Sequence, residues 1–338
     1  MTYPENADIE QWIGKEAPEA VLEPELPIID PHHHLWDMRR ANRSPQSFRQ
    51  EVYLCEEIAN DINASGHNVV QTVFAQCGAF YRADGPTEMR CVGETDFVHG
   101  VAAMSRSGLY GDARLCTGIF STADLRPGAA AEPVLKAHLA ASANFRGIRS
   151  GFPNDLNAQF LEGFALLQKH NLSFDNWSPD YTRLPTLATL ANKFPDVTVI
   201  VNHLGGKIDP SASEADISEW QRCIDAVAAC PNTVMKTGGA QMRIGPWEPP
   251  YHMHKADRPL GSEAFCDLLY PFYHYAMEAF GPDRCMFESN FPVDKECISY
   301  RTLWNLFKRI AKKAGLSDAE KTAMFSGTAA RAYRLEAP

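Results

Sequence analysis

The sequence contains no apolar run long enough to cross a bilayer. Its opening stretch, MTYPENADIEQWIGKEAPEA, lacks the basic and apolar regions of a secretory signal. The expectation is a cytoplasmic protein with no membrane partner. Basic charge is also scarce: 42 Asp and Glu face 32 Lys and Arg, a formal net charge of −10, which leaves no electrostatic footprint for nucleic acid. Nine cysteines are scattered between Cys55 and Cys297, none spaced as Cys-x-x-Cys, which argues against a disulfide framework or a structural zinc cluster. No Gly-x-Gly-x-x-Gly follows an early strand, so a dinucleotide-binding open sheet is disfavoured. No Pro/Gly/Ser-rich linker divides the chain.

What is present is an alternation. After a poorly patterned arm over residues 1–25, eight short apolar runs recur: 26–30, 69–75, 114–120, 145–149, 172–175, 197–202, 232–236 and 284–290. Each is rich in Val, Ile, Leu or Phe and bounded by turn residues, as strands are. Helical periodicity lies between them. Phe160, Phe164 and Leu167 share one face, as do Leu187, Leu190, Ala191 and Phe194, with Pro195 as a stop. Tyr300, Leu303, Trp304, Phe307, Ile310 and Ala314 line a long helix, and Ser317-x-x-Glu320 has the form of a capping box. Strands alternating with helices imply parallel pairing, and eight of them fit a single-domain (β/α)₈ TIM barrel of the α/β class over residues 26–338. Two long loops, 77–112 and 237–264, then fall at the C-terminal face, where barrels bind substrate.

The chemistry-bearing residues cluster at strand ends. In IIDPHHHLWD, His32 and His34 share one face of the first strand and His33 points away. Two converging imidazoles suit a divalent metal or a cationic cradle for a carbonyl or carboxylate oxygen. His203 directly follows the sixth strand. On the eighth, Glu288 and Asn290 have the same parity and both should face inward, where a carboxylate is costly unless paired or used. Arg149 ends strand four, Lys236 ends strand seven and Arg243 lies in the loop beyond. These cations in an acidic chain point to an anionic or carboxylated small substrate, since Arg is suited to bidentate carboxylate recognition. Asp175 and Trp177, on and after strand five, complete the substrate-binding set. Trp36, Phe291 and Tyr81 are further aromatic candidates for a pocket wall. His252 and His254 share a parity in a loop and are expected to be a solvated pair.

In this order, His32-x-His34, FRGIR (145–149), SFDNW (173–177), Asn-His203, VMKTGG (234–239), Ser-Asn-Phe-Pro on strand eight and GTAARAYRL (327–335) resemble the amidohydrolase superfamily. The likeness is to its amidohydrolase-2 branch, which holds the sugar-lactone and 2-pyrone-4,6-dicarboxylate lactonases, and it runs from about Leu26 to Leu335. The resemblance implies a barrel hydrolase that opens a lactone or similar ester. It implies that the His pair and His203 surround the reacting carbonyl, with a strand-eight Asp as general base. Some members hold one divalent metal, which here would fall to His32, His34 and His203, and the similar lactonases can work without one.

The sequence departs from that pattern at strand eight, where Asn290 replaces the Asp. A neutral amide cannot take a proton from water and is a poor metal ligand. The base is then Glu288, the first choice, or Asp294 or Asp175, or the chemistry differs. Strand four carries no lysine to be carbamylated, so a binuclear centre is disfavoured and the expectation is no required cofactor or one weakly held Zn²⁺. Asn290 would hold the water or the developing oxyanion. Two other readings stay open: a metal-dependent decarboxylase of an aromatic or unsaturated acid, and a non-catalytic ligand-binding barrel. A homo-oligomer is compatible with such a barrel.

Overall fold

A computed structural model describes residues 6–39, 50–244 and 247–338. Residues 1–5 of the arm and two residues of the long loop after strand seven lie outside that description. Eight parallel strands follow one another around a nearly closed barrel: β1 (Ile28–His33), β2 (Val69–Ala75), β3 (Arg114–Ser121), β4 (Phe145–Arg149), β5 (Ser173–Asn176), β6 (Val199–Val201), β7 (Thr233–Lys236) and β8 (Cys285–Met286). The ring is completed where β8 runs on toward β1. His34 N donates to the Phe291 carbonyl at 2.7 Å, and Asn290 N donates to the His32 carbonyl at 2.9 Å. The barrel expected from the alternation is the one found.

The helices form the outer layer, and their apolar faces pack on the outside of the strands. The inside of the barrel is filled differently. Ile29, Val73, Phe120, Ile200 and Met286 point inward and meet Ala329, Ala330 and Tyr333 of the C-terminal helix (Thr328–Tyr333), which plugs the barrel. That helix therefore closes the end opposite the strand C-termini, so any ligand must enter from the loop side.

Three details differ from the sequence reading. The stretch 77–112 is not simply a loop, because its middle is a crossover helix (Val92–Ser105); a run with buried residues on several sides carries little 3.6-residue contrast. The eighth strand is shorter than 284–290: after Met286 the backbone N–H of Phe287 goes to the Met324 carbonyl, and that of Ser289 goes to the Asp30 carboxylate at 3.0 Å. The arm contains a helix α1 (Asn6–Ile13) with Ile9 and Trp12 buried. Beyond it the Glu16 carboxylate accepts from Ser299 N at 2.8 Å, at the N-terminus of the long helix over Tyr300–Lys313. Among the described residues no helix is long and apolar enough to cross a membrane.

Candidate active site

The site begins with two backbone constraints. His203 and Asn290 both have positive φ, 55° and 54°, a conformation that costs a non-glycine residue energy and persists only where the surroundings impose it. Around His203 they do so through VMKTGG. A Cβ at Gly239, itself at φ +67°, would lie 2.3 Å from His203 Nδ1, and one at Gly238 would lie 2.4 Å from Glu288 Cγ. The two glycines let the end of β7 press against the space in which His203 and Glu288 meet.

They meet directly. His203 Nδ1 stands 2.6 Å from Glu288 Oε1, with both side chains buried. Glu288 Oε2 lies 2.9 Å from His32 Nδ1. The same His32 nitrogen is 3.1 Å from Lys236 Nζ, and Lys236 also donates to Asp175 Oδ1 at 2.9 Å. Tyr333, rising from the plug helix, donates its hydroxyl to that same Asp175 oxygen at 2.8 Å.

Along the His34–His32–Lys236 chain these contacts fit one proton arrangement, and Glu288 Oε2, 2.9 Å from the same His32 nitrogen, fits it in its protonated form. The Ala75 carbonyl can only accept, so His34 carries its proton on Nδ1, 2.8 Å away. Its Nε2 therefore accepts from His32 Nε2 at 3.3 Å, and His32 Nδ1 accepts from the Lys236 ammonium. His32 is neutral in this chain, in keeping with a pKa held well below the usual value by burial and by the Lys236 charge. Burial also lowers Lys236, against the pull of Asp175. Burial pushes Glu288 up to about 8, although Lys236 and Arg149 oppose the shift.

Asp30, fully buried, ties β1 to the strand-eight segment. It accepts from Ser289 N at 3.0 Å, from the Tyr300 hydroxyl at 2.9 Å and from His32 N at 3.3 Å. Burial nevertheless raises its pKa to about 6.

Above this layer a cleft of about 400 Å³ opens at the strand C-termini, with His34, Arg149, Trp177, His203 and Asn290 on its wall. Arg149 directs one N–H to the Gln76 carbonyl at 2.9 Å. Asn290 Nδ2 donates to Asp294 Oδ1 at 2.8 Å, which turns the amide oxygen into the group that can hold a water.

The sequence-derived residues thus divide by depth. His34, Arg149, Trp177, His203 and Asn290 reach the cleft. His32, Asp175, Lys236 and Glu288 form a fully buried layer beneath it, so Glu288 stands behind His203 rather than facing the cleft. Arg243 pairs with Glu248 at 2.7 Å and is not on the cleft wall, where its neighbour Met242 stands. Trp36 stacks beside His34 with ring centroids 5.9 Å apart, Phe291 packs on Tyr300, and Tyr81 is partly exposed; none of the three lines the cleft. The expectation of a solvated His252/His254 pair is corrected: His252 is fully buried, because Glu296 Oε2 partners its Nε2 at 2.7 Å, and only His254 is exposed. Tyr333, Asp30 and Tyr300 were not found from sequence. Each acts across the barrel on a residue more than 150 positions away, and no local pattern records that.

Comparisons with known proteins agree with this architecture. The family described as Amidohydrolase matches residues 29–335. An uncharacterized protein, y4mH, of Sinorhizobium fredii is 32% identical over 92% of this chain and 99% of its own length. The L-fucono-1,5-lactonase of Burkholderia multivorans is 30% identical over 54% of this chain and 58% of its own length. Among solved structures, an amidohydrolase from Burkholderia multivorans with bound Zn superposes with a TM-score of 0.67 at 23% identity, covering 91% of this chain and 99% of its own. A probable 2-pyrone-4,6-dicarboxylic acid hydrolase from Acinetobacter baumannii with citric acid bound gives 0.62 at 13% identity, over 91% and 99%. A 5-carboxyvanillate decarboxylase from Sphingomonas paucimobilis gives 0.56 at 12%, over 92% and 100%.

Proposed function

The chain belongs to the amidohydrolase family and is an enzyme of the hydrolase type, and from that premise we propose that it opens the lactone ring of a small carboxylated substrate. The observation that carries the proposal is the His203–Glu288 pair at 2.6 Å, in which Glu288 is enclosed and the His203 ring lines the cleft. The similarity to an L-fucono-1,5-lactonase supports the lactone. Arg149 on the wall supports the carboxylate.

In this mechanism the substrate carboxylate meets Arg149. Its carbonyl oxygen lies in the field of the Lys236 ammonium beneath, which the neutral His32–His34 chain relays toward the cleft. Asn290 holds the attacking water by its amide oxygen. His203 removes the proton and Glu288 stabilises the imidazolium, the relation of base to orienting carboxylate familiar from catalytic triads. As the tetrahedral intermediate collapses, the acyl C–O bond breaks and His203 returns the proton to the departing ring oxygen, giving a hydroxy acid. Glu288, the base expected from sequence, thus acts through His203.

The fold family also implies a divalent metal. His32, His203 and Glu288 place donor atoms within 4.8 Å of one another, and these are the atom types of a zinc site. The charge does not fit. The Lys236 ammonium lies 3.1 Å from His32 Nδ1 and would repel a dication held by that imidazole. Asp175 already pairs with Lys236 and Glu288 with His203, so no further carboxylate of the buried layer offsets a dication. We therefore assign the positive charge of the site to Lys236 and route no step through a metal.

A panel of carboxylated lactones in a pH-stat assay tests the proposal. The expected result is one acid equivalent per ring opened, and a loss of roughly 10²–10⁴ in kcat for His203→Gln. Chelator-sensitive release of CO₂ from an aromatic acid, with no lactone opened, would instead establish the decarboxylase reading.

A further inference from the structure

A second and larger cavity, about 840 Å³, adjoins the catalytic cleft. The two share the walls Thr122, Ser150 and Gly151, that is, the ends of the loops leaving β3 and β4. Its deep wall is apolar, while Thr87, Glu88, Thr122 and Ser150 bring polar groups to the rest of its surface. Leu125, Ala131, Val134, Phe152 and Phe160 line it, each of them buried. Charge is confined to the rim, where Arg126 and Asp124 pair with each other through two bonds of 2.8 Å. The wall carrying Phe152 is braced from outside: Arg183 donates to the Phe152 carbonyl and lies 4.6 Å from its ring centroid.

A small polar lactone fills only the catalytic cleft. It gives no reason for a second space with a braced apolar wall that adjoins that cleft beside Arg149. A molecule with a carboxylate head and an apolar tail fits both spaces at once. With the head on Arg149, the tail would pass Ser150 and Gly151, which line both spaces, and Gly151 presents no side chain there: a Cβ at that position would meet nothing within 4 Å.

We propose that this chamber is a substrate subsite that takes the unbranched alkyl or aryl tail of an amphipathic carboxylic substrate. The proposal deepens the lactonase reading and rests on it for the placement of the head. The substrate class becomes a lactone bearing both an acid group and an apolar extension, rather than a free sugar lactone.

The test is a binding series that needs no turnover. Straight-chain carboxylates from propanoate to decanoate are titrated calorimetrically into the full-length protein. Burying each added methylene should tighten binding by about three- to fourfold until the chamber is full. Two variants block the chamber, Ala131→Phe from inside and Ala130→Trp from its exposed edge, and thermal melts verify that each is folded. Either folded variant should bind propanoate as the wild type does and lose the chain-length dependence. A flat series in the wild type overturns the proposal. So does a rise that survives in both folded variants, since the tail then lies elsewhere. If the series rises and is abolished by the variants while no lactone is opened, the subsite stands and only the lactonase reading fails.

Discussion

Replacing Glu288 with Gln isolates the charge that stabilises the His203 imidazolium in the proposed mechanism. The side chain keeps its shape, and its amide oxygen can still accept from His203 Nδ1, now 2.6 Å from Glu288 Oε1. What disappears is the negative charge beside a His203 that must become positive in the transition state. Hydrogen bonds to charged groups contribute about 1.5–3 kcal/mol, so kcat should fall by about 10- to 150-fold. KM should hold, because Glu288 is buried behind His203 and does not line the cleft. His203→Gln removes the base itself and should cost roughly 10²–10⁴. The double variant should be no slower than His203→Gln alone, because the two residues act as a unit.

The same variant has a signature in pH. Burial holds Glu288 at about 8, so wild-type kcat should climb as pH rises through about 8 and Glu288 ionises, and the Gln variant should lack that limb. Stability moves oppositely. A carboxyl whose folded pKa lies above its ordinary 4.5 contributes stability that is present below 4.5 and lost as pH rises through about 8. The Tm of Glu288→Gln should therefore gain on the wild type across that window and keep a constant lead above it. Steady-state kinetics and thermal melts in matched buffers measure both. If Glu288→Gln costs as much as His203→Gln, Glu288 takes the proton itself and the assignment of His203 as base is wrong. If the limb near 8 survives the substitution, another group is titrating.

Arg149→Gln should raise KM for a carboxylated lactone by about 10- to 100-fold, the loss of a charged hydrogen bond, and leave KM for the methyl ester nearly unchanged; equal effects on both would remove Arg149 from carboxylate recognition. Gly239→Ala should lower both Tm and kcat, since its Cβ would lie 2.3 Å from His203 Nδ1 at φ +67°; the left-handed conformation alone costs about 1–2 kcal/mol, and an unchanged urea midpoint would refute the close-packing argument. Exhaustive dialysis against a chelator should leave kcat intact, as expected if Lys236 supplies the positive charge; activity lost on chelation and restored by Zn²⁺ would return the metal to the mechanism.

The depth of the site explains what the sequence could and could not reveal. The strand-end residues His34, Arg149, His203 and Asn290 were legible because a barrel sends the residue after each strand toward one face. Parity placed Glu288 inward correctly, yet parity does not measure height. Whether an inward carboxylate meets the substrate or another side chain depends on how far the chain has climbed, and here the Gly238–Gly239 close approach sets that. Lys236 was read as a substrate cation for the same reason and is instead enclosed, with Phe120 and Tyr333 rings 4.3 and 5.2 Å from its ammonium. Arg243 was misplaced because a loop cation finds the nearest carboxylate, and Glu248 is five residues away. The plug helix carried a visible pattern, but its consequence, a hydroxyl beneath Asp175, required a closed barrel.

Lys236 in the buried layer and Arg149 on the cleft wall above it stand against Asp175 and Glu288, two positive groups against two negative when all are ionised, and this balance makes substrate binding and proton uptake dependent on each other. Arg149 is one of the charges that hold Glu288 below the value burial alone would give it. A carboxylate docked on that guanidinium cancels part of its field. Glu288 must then bind protons more tightly, and near pH 8, where it is partly ionised, docking should draw protons from solution. Calorimetric titration of a carboxylate ligand in buffers of different ionisation enthalpy measures this uptake directly. A fraction of a proton should be taken up per ligand near pH 8, with little below pH 6, where Glu288 is already protonated, and the uptake should be absent in Glu288→Gln. Heats that do not depend on the buffer would mean that Arg149 and Glu288 do not sense one another, and that the cleft and the layer beneath it are electrostatically independent.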